Sequence, residues 1–243
     1  MKKFLFVLFC VVFCGCAHQF VMPENYEYKI EKNTQHTLAT WQKISNTNQP
    51  IHIYVEGDGH AFYANGRPTA DPTPRDSFVR NLVANDSYEN VVYIARPCQF
   101  INDSNCDVSM WTNGRFAQNN IDSVATTIKA IAGNRPVVLI GYSGGALITG
   151  LVIQQNKDIK IKKWSTIAGV LNHHDWTKYF GDTSLDESID MDSLPNVSQI
   201  HYVGDKDDVV PVALSKKWVP TDKLKIVPNA THNDFPNLQI SFD

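Results

Sequence analysis

One stretch in the middle of the chain constrains the fold more than any other. The apolar run 137–140 leads directly into Gly141-Tyr142-Ser143-Gly144-Gly145, which has the spacing G-x-S-x-G. The run predicts a buried strand, and the glycines predict a sharp turn into a helix that reaches about Gln155. A serine at the apex of such a turn has a strained backbone, and side chains two residues to either side would collide across it. The Ser143 hydroxyl is therefore expected to project above the end of a strand.

Strand and helix patterns alternate along the rest of the chain. Short apolar runs predict further strands at 51–55, 91–95, 161–170, 200–203 and 225–227. Helical spacing, or a position between strands, predicts helices at 76–85, at 120–131 and in the segment that ends at residue 218. Two weaker runs, 26–30 and 36–44, are expected to pair as a hairpin. This alternation predicts one α/β domain with a mostly parallel, doubly wound sheet flanked by helices.

Composition narrows the classes of function. The chain has 243 residues and a net charge of −3, which is enough length for one α/β domain and gives no general attraction to nucleic acid. Nothing in the sequence indicates a redox cofactor, and no cofactor or metal is expected. His173-His174 would need further converging ligands to hold a metal. The acidic residues between 182 and 192 could hold Ca²⁺ but are expected to form a solvated loop.

The N-terminus has the pattern of an export signal. A short basic start precedes the apolar run 4–13, which is too short for a confident membrane span. Gly15 directly before Cys16 resembles a bacterial lipobox, in which cleavage before the cysteine is followed by its lipidation. Ordinary signal-peptide cleavage after Ala17 is the alternative. The exported chain is expected to be attached to an envelope membrane through a lipid on Cys16.

Cysteine use in the mature body fits an exported chain. The predicted signal peptide is 1–15, and the predicted mature domain is 16–243. Cys98 and Cys106 lie eight positions apart, and in an oxidising compartment such a pair predicts a disulfide that pins the loop 99–105. A metal site at these two cysteines is the alternative, but it lacks nearby partners in the sequence.

Three motifs follow predicted strands and resemble those of one enzyme superfamily. They are Gly141-Tyr142-Ser143-Gly144-Gly145, the acidic turn 204–211 (Gly-Asp-Lys-Asp-Asp-Val-Val-Pro) and the late loop 230–233 (Ala-Thr-His-Asn). In this order they resemble the nucleophile, acid and histidine loops of the α/β-hydrolase superfamily. The resemblance extends from about residue 51 to residue 234. It implies the α/β-hydrolase fold, in which ligands bind beyond the carboxyl ends of the strands.

The resemblance also implies a Ser-His-Asp triad. Ser143 would attack an acyl carbon, His232 would take and return its proton, and Asp207 would orient the imidazole. Asp205 and Asp208 lie beside Asp207 and are alternative candidates for the acid of the triad. Such a triad implies a serine hydrolase that cleaves carboxylic esters, or related small acyl substrates, through an acyl-enzyme.

The turn after strand 51–55 is expected to complete an oxyanion hole. Glycines at this point carry the second half of the hole in α/β-hydrolases, which implies backbone N–H donors from Gly144 and from Asp58 beside Gly57. Similar enzymes usually begin this loop with histidine, and here it begins with Glu56. Because the Asp58 carboxylate would repel an oxyanion, it is expected to turn away or to hydrogen-bond to the loop.

Three loops, 60–74, 97–114 and 171–195, are expected to form the cleft walls, and the last is polar and irregular enough to act as a short lid. Their composition leaves the substrate open, and a peptidase or an acyltransferase would use the same triad. A non-catalytic envelope binding or assembly protein on the same fold is a second hypothesis. A metal-dependent hydrolase that uses His173-His174 is a third.

Overall fold

The structure is a computed structural model, and it describes residues 20–242 of the chain. The predicted signal peptide and Cys16 lie outside these residues, so export and lipidation stay predictions. None of the helices within the described part is long and apolar enough to cross a membrane.

Strands and helices alternate along the described chain. The strands are β1 (Glu27–Lys32), β2 (Thr37–Ile44), β3 (Ile51–Val55), β4 (Asn90–Ile94), β5 (Val137–Tyr142), β6 (Ile161–Ile167), β7 (Gln199–Gly204) and β8 (Leu224–Val227). The helices are α1 (Phe78–Asn85), α2 (Gln118–Ala132), α3 (Gly144–Gln155), α4 (His173–Phe180) and α5 (Val212–Trp218), with short 3₁₀ turns at Val108–Trp111 and Thr221–Lys223. Each of these strands, and each α-helix except α4, lies where the sequence predicts it.

The eight strands form one sheet in the order β1-β2-β4-β3-β5-β6-β7-β8. β1 and β2 form the expected hairpin, and β2 also runs antiparallel to β4. All the other neighbouring pairs in this sheet are parallel. The predicted mostly parallel, doubly wound sheet is therefore confirmed. Its topology places the carboxyl ends of β3, β5, β7 and β8 along one edge. The predicted site residues come after these strand ends.

An apolar core covers each face of the sheet. Side chains alternate between the two faces of a strand, so Ile53 in β3 packs in the core that contains α2 and α3. Tyr54 lies in the opposite core, which contains the buried face of α1. Helix α3 contacts β5 and β6 on one side and α2 on another, and it is buried from Gly144 to Ile153. The turn that precedes α3 is thus held between a fully buried strand and a helix that is buried over most of its length.

Two predictions of local structure are wrong. Strand β6 ends at Ile167 instead of Val170, because Ala168 adopts a left-handed φ of 49° that a strand cannot continue. The segment 171–195 is not irregular throughout, because it begins with α4. The side chain of Asn172 caps this helix by accepting the backbone N–H of Asp175, and Gly181 ends it at a φ of 69°.

Candidate active site

Ser143 occupies the turn between β5 and α3. Its φ of 49° is a strained conformation for a residue with a side chain. The turn is fixed by backbone hydrogen bonds, because the Ser143 N–H donates to the Ile167 carbonyl at 3.0 Å and its carbonyl accepts from Val170 at 3.0 Å. A Cβ atom added at Gly141 would lie 2.5 Å from the Gly145 carbonyl oxygen. The glycines therefore permit the close approach that the sequence predicts.

His232 links the Ser143 hydroxyl to a carboxylate. Its Nε2 lies 3.0 Å from Ser143 Oγ, and its Nδ1 lies 3.0 Å from Asp207 Oδ2. An ionised carboxylate only accepts hydrogen bonds, so the proton of neutral His232 belongs on Nδ1 and Nε2 is left to accept from the hydroxyl. The side chain of His232 is 17% exposed, on the side of the cleft. The three residues therefore form an unbroken chain of hydrogen bonds.

Asp207 is held rigidly on the turn after β7. Its side chain is 0% exposed, and its Oδ1 accepts the backbone N–H groups of Val209 at 2.9 Å and Val210 at 2.8 Å. Asp205 and Asp208 lie on the same turn and are exposed. The geometry therefore selects Asp207 from the three candidate acids.

The loop after β3 passes directly over the serine. A Cβ added at Gly57 would lie 3.0 Å from Ser143 Cβ, so only a glycine fits without displacing its neighbours. The Gly57 N–H donates to its neighbour Glu56 at 2.9 Å, and its carbonyl accepts from Gln99 Nε2 at 2.9 Å. These bonds fix the loop that carries Asp58 beside the nucleophile turn.

The Asp58 carboxylate is paired with two arginines. It accepts from Arg96 and, at 3.0 Å, from Arg115 Nη1. Both partners lie outside the loop, and the carboxylate lies against the Cα of Gly144, where a Cβ would collide with it. The expected hydrogen bond to its own loop is therefore replaced by two ion pairs. The alternative expectation, that the carboxylate turns away from the oxyanion, stays a prediction. Burial raises the pKa of Asp58, but the charges of Arg115 and Arg96 outweigh burial, so the pKa lies below its usual value.

Glu56 is a buried carboxyl group at the base of the same loop. Its Oε1 accepts from Gly57, and its Oε2 accepts the Tyr93 hydroxyl at 2.8 Å. Burial raises the pKa of Glu56 to about 7, and its two hydrogen bonds oppose that shift only in part. In the sequence, Glu56 stands out only as a departure from histidine, and no motif marks Tyr93.

The predicted disulfide between Cys98 and Cys106 is present. Among residues 20–242, the one group of three potential metal-ligating atoms within 4.8 Å of one another joins these two sulfurs and His36. The disulfide already occupies both sulfurs. The other candidate pair, His173-His174, lies in the first turn of α4, where both backbone N–H groups donate to the Asp190 carboxylate.

A cleft of about 490 Å³ opens above Ser143 and His232. The predicted wall loops 60–74 and 171–195 line it through Phe62 and Trp176, among others. The loop 97–114 does not line this cleft, and its residues 112 and 113 line an adjoining cavity of about 550 Å³ instead. The arrangement can hold an acyl substrate above a hydroxyl whose proton has an acceptor.

Comparison with known proteins identifies the fold. No family profile and no curated protein matches the sequence. A serine hydrolase homologue from Coxiella burnetii is 16% identical, covering 88% of this chain and 92% of that chain with a TM-score of 0.53. A serine hydrolase without a lid from Xanthomonas campestris is 14% identical, covering 88% of both chains with a TM-score of 0.52. A serine hydrolase from Cycloclasticus zankles is 11% identical, covering 85% and 91% with a TM-score of 0.58. These likenesses show that the chain has the α/β-hydrolase fold.

Proposed function

We propose that this chain, on its α/β-hydrolase fold, is a serine hydrolase that cleaves carboxylic esters through a Ser-His-Asp triad. The observation that carries the proposal is the unbroken hydrogen-bonded chain from the Ser143 hydroxyl through His232 to Asp207. It begins on a strained turn at a cleft and ends on a fully buried carboxylate. The naming of the similar structures as serine hydrolases agrees with it.

The proposed reaction begins with attack of Ser143 Oγ on the acyl carbon, while His232 Nε2 takes the hydroxyl proton. Asp207 holds the imidazole in position and stabilises the imidazolium that forms. As the tetrahedral intermediate collapses, His232 gives the proton to the leaving alcohol, and an acyl-enzyme remains. A water molecule then repeats the sequence with His232 as base, which releases the acid and restores the serine.

The oxyanion of the intermediate needs donors above the serine. We assign this role to the backbone N–H groups of Gly144, the first residue of α3, and Asp58, with Gly57 leaving room for the close approach of the loop. Loss of one such donor typically costs roughly 3–4 kcal/mol of transition-state stabilisation. Because the Asp58 carboxylate is paired with two arginines, its charge is offset and it repels the oxyanion less.

Hydrolysis of 4-nitrophenyl butyrate by the purified mature domain tests the proposal. We expect Ser143→Ala to lower kcat by about 10⁴-fold or more, because the remaining groups cannot replace the nucleophile. Ser87→Ala removes an exposed hydroxyl after α1 and serves as the matched control, with unchanged kcat. Full activity of Ser143→Ala would exclude the triad. The absence of ester hydrolysis by the folded wild-type domain would favour the non-catalytic binding protein.

The same assay separates the related activities. We expect faster turnover of the ester than of the corresponding 4-nitroanilide, and release of free acid instead of transfer to an added alcohol. A preference for the anilide would indicate a peptidase, and dominant transfer to the alcohol would indicate an acyltransferase.

We also propose that the chain is exported and anchored to an envelope membrane through a lipid on Cys16. The basic and apolar leader and the Gly15-Cys16 pair support this proposal. Metabolic labelling with an alkyne fatty acid is expected to mark the wild-type chain and to leave Cys16→Ala unlabelled. Equal labelling of the two chains would exclude Cys16 as the attachment site.

A further inference from the structure

Arg115 lies in the wall that separates two cavities. It lines the cleft that contains Ser143 and also the adjoining cavity, together with Phe62 and Trp176. Its side chain is only 9% exposed. A guanidinium at this point is in reach of a substrate in either cavity, and it is shielded from bulk solvent.

The guanidinium is fixed on every side but one. Its Nε donates to the Thr112 carbonyl at 2.8 Å, and its Nη1 donates to Asp58 at 3.0 Å. The rings of Phe62 and Trp176 lie 5.5 Å and 5.9 Å from its central carbon. Trp176 is itself held, because its indole N–H donates to the Val209 carbonyl at 2.7 Å.

The remaining nitrogen, Nη2, has an open position. It has no hydrogen-bond partner within residues 20–242, and it is not enclosed by protein atoms. Because the side chain is almost fully buried and lines both cavities, the accessible edge of the guanidinium faces them. The Nη2 group of Arg115 is therefore a fixed, positively charged donor that has no partner in the described part of the protein.

The acidic groups around the cleft already have donors. Asp58 has Arg96 as a second partner, Glu56 accepts from Gly57 and Tyr93, and Asp207 accepts from two backbone N–H groups and His232. Asp76 is exposed at the mouth and accepts the backbone N–H of Phe78 at 3.0 Å. Several acidic residues line the cleft near Ser143, but each already accepts hydrogen bonds. The group that still has an unfilled hydrogen-bonding position there is the cationic Arg115.

The adjoining cavity is less suited to an anion. Asp182 and Asp186 line it and are exposed, and a negative ligand there would approach both carboxylates. An anionic group is therefore best accommodated on the side of Arg115 that faces Ser143. The distance between this anionic group and the scissile ester then depends on the length of the substrate.

We propose that Arg115 binds a carboxylate on the substrate, so that the preferred substrates are esters with a negatively charged group near the scissile bond. This inference rests on the proposed esterase function and adds its substrate class. A fixed guanidinium donates charge-assisted hydrogen bonds, which are about twice as strong as neutral ones. A shielded site strengthens them further, because water competes less for the carboxylate.

Matched pairs of esters test the proposal on both sides of the scissile bond. The acyl-side pairs are the mono-4-nitrophenyl esters of glutaric and adipic acid, each against its methyl-capped neutral counterpart. The alcohol-side pair is 4-acetoxybenzoate against its methyl ester. With spontaneous hydrolysis subtracted, we expect wild-type kcat/KM to favour the anionic member about tenfold or more in at least one arm.

Variants of Arg115 show where that preference originates. Arg115→Gln is expected to reduce the anionic-to-neutral ratio of kcat/KM to about one or below, and Arg115→Lys to retain part of it because the charge remains. Arg135→Gln is the matched control. It removes the same charge at the end of α2, where the side chain bonds to the Ile131 and Ala132 carbonyls, and the ratio should stay at the wild-type value.

Two results would overturn the inference. One is a wild-type ratio below about three in every arm, which needs no variant to fold. The other is an unchanged ratio in Arg115→Gln. Both leave the proposed function intact if the neutral esters are still cleaved and Ser143→Ala abolishes their cleavage. Failure of the proposed function is distinct, because then no ester depends on Ser143.

Discussion

Glu56 joins the proposed oxyanion loop to the core. Its carboxyl group holds the Gly57 N–H on one oxygen and the Tyr93 hydroxyl on the other, and the residue is almost fully buried. Burial raises its pKa from 4.5 to about 7, so the folded state retains a proton that the unfolded state releases between these values. This group's contribution to the free energy of unfolding therefore falls as pH rises from 4.5 to 7, by roughly 3 kcal/mol in total.

Glu56→Gln should remove that pH dependence. Glutamine has the same shape, so its oxygen can accept from Gly57 and its amide can donate to the Tyr93 oxygen. We expect the Tm of wild type minus the Tm of the variant to decrease between pH 5 and pH 8, measured by thermal unfolding at constant ionic strength. A difference that is constant or that increases with pH would contradict the buried, raised pKa.

Asp207 is the second residue whose role can be isolated. Asp207→Asn keeps the size of the side chain but can no longer accept from His232 on both atoms, so the imidazole loses its preferred tautomer. We expect kcat on a neutral ester to fall by about 10⁴-fold, with little change in KM. Asp205→Asn and Asp208→Asn remove the same charge from exposed positions on the same turn and should retain activity. A comparable loss of kcat in either control would contradict the assignment of Asp207 as the acid of the triad and favour that neighbour.

At the scale of elements, the turn after β4 supports the loop after β3. Arg96 holds the Asp58 carboxylate, and Gln99 holds the Gly57 carbonyl at 2.9 Å. The disulfide between Cys98 and Cys106 lies within this turn. The geometry of the proposed oxyanion hole is therefore expected to depend on a covalent link that does not line the cleft.

Replacement of both cysteines should affect stability and kcat together. For so short a loop, we expect Cys98→Ser with Cys106→Ser to lower the free energy of unfolding by about 2–3 kcal/mol. The kcat for a neutral ester should fall several-fold with KM nearly unchanged, because the loop above Ser143 is less well held. Urea unfolding and steady-state kinetics measure the two effects, and reduction of the wild-type disulfide is the control. Reduced wild type with full stability and kcat would show that the turn is held without the disulfide.

At the scale of the whole molecule, the parallel sheet explains why the candidate site could be predicted. Ser143, Asp207 and His232 each follow a strand, and the carboxyl ends of parallel strands share an edge. Their shared placement after predicted strands was therefore enough to group them. Arg96 also follows a strand at this edge, but no motif marks it as a partner of Asp58. Arg115 could not be grouped in this way, because its approach to Asp58 depends on the path of a loop without periodicity.

The same limit applies to the elements themselves. The strands and α1, α2, α3 and α5 could be predicted because apolar periodicity or their place between strands marks them. Helix α4 was missed because it is short and mixes polar with aromatic residues, although Asn172 before it and Gly181 after it are capping signals. The end of β6 depends on the left-handed conformation of Ala168, which the residue type does not indicate.

Covalent labelling with a fluorophosphonate is the most direct test of Ser143 as the nucleophile, because the reagent bonds to an activated serine oxygen with loss of fluoride. We expect one adduct per chain, located by peptide mass spectrometry on Ser143, absent in Ser143→Ala and much slower to form in Asp207→Asn. The absence of an adduct from the folded wild-type protein, or an adduct on another serine, would contradict this assignment.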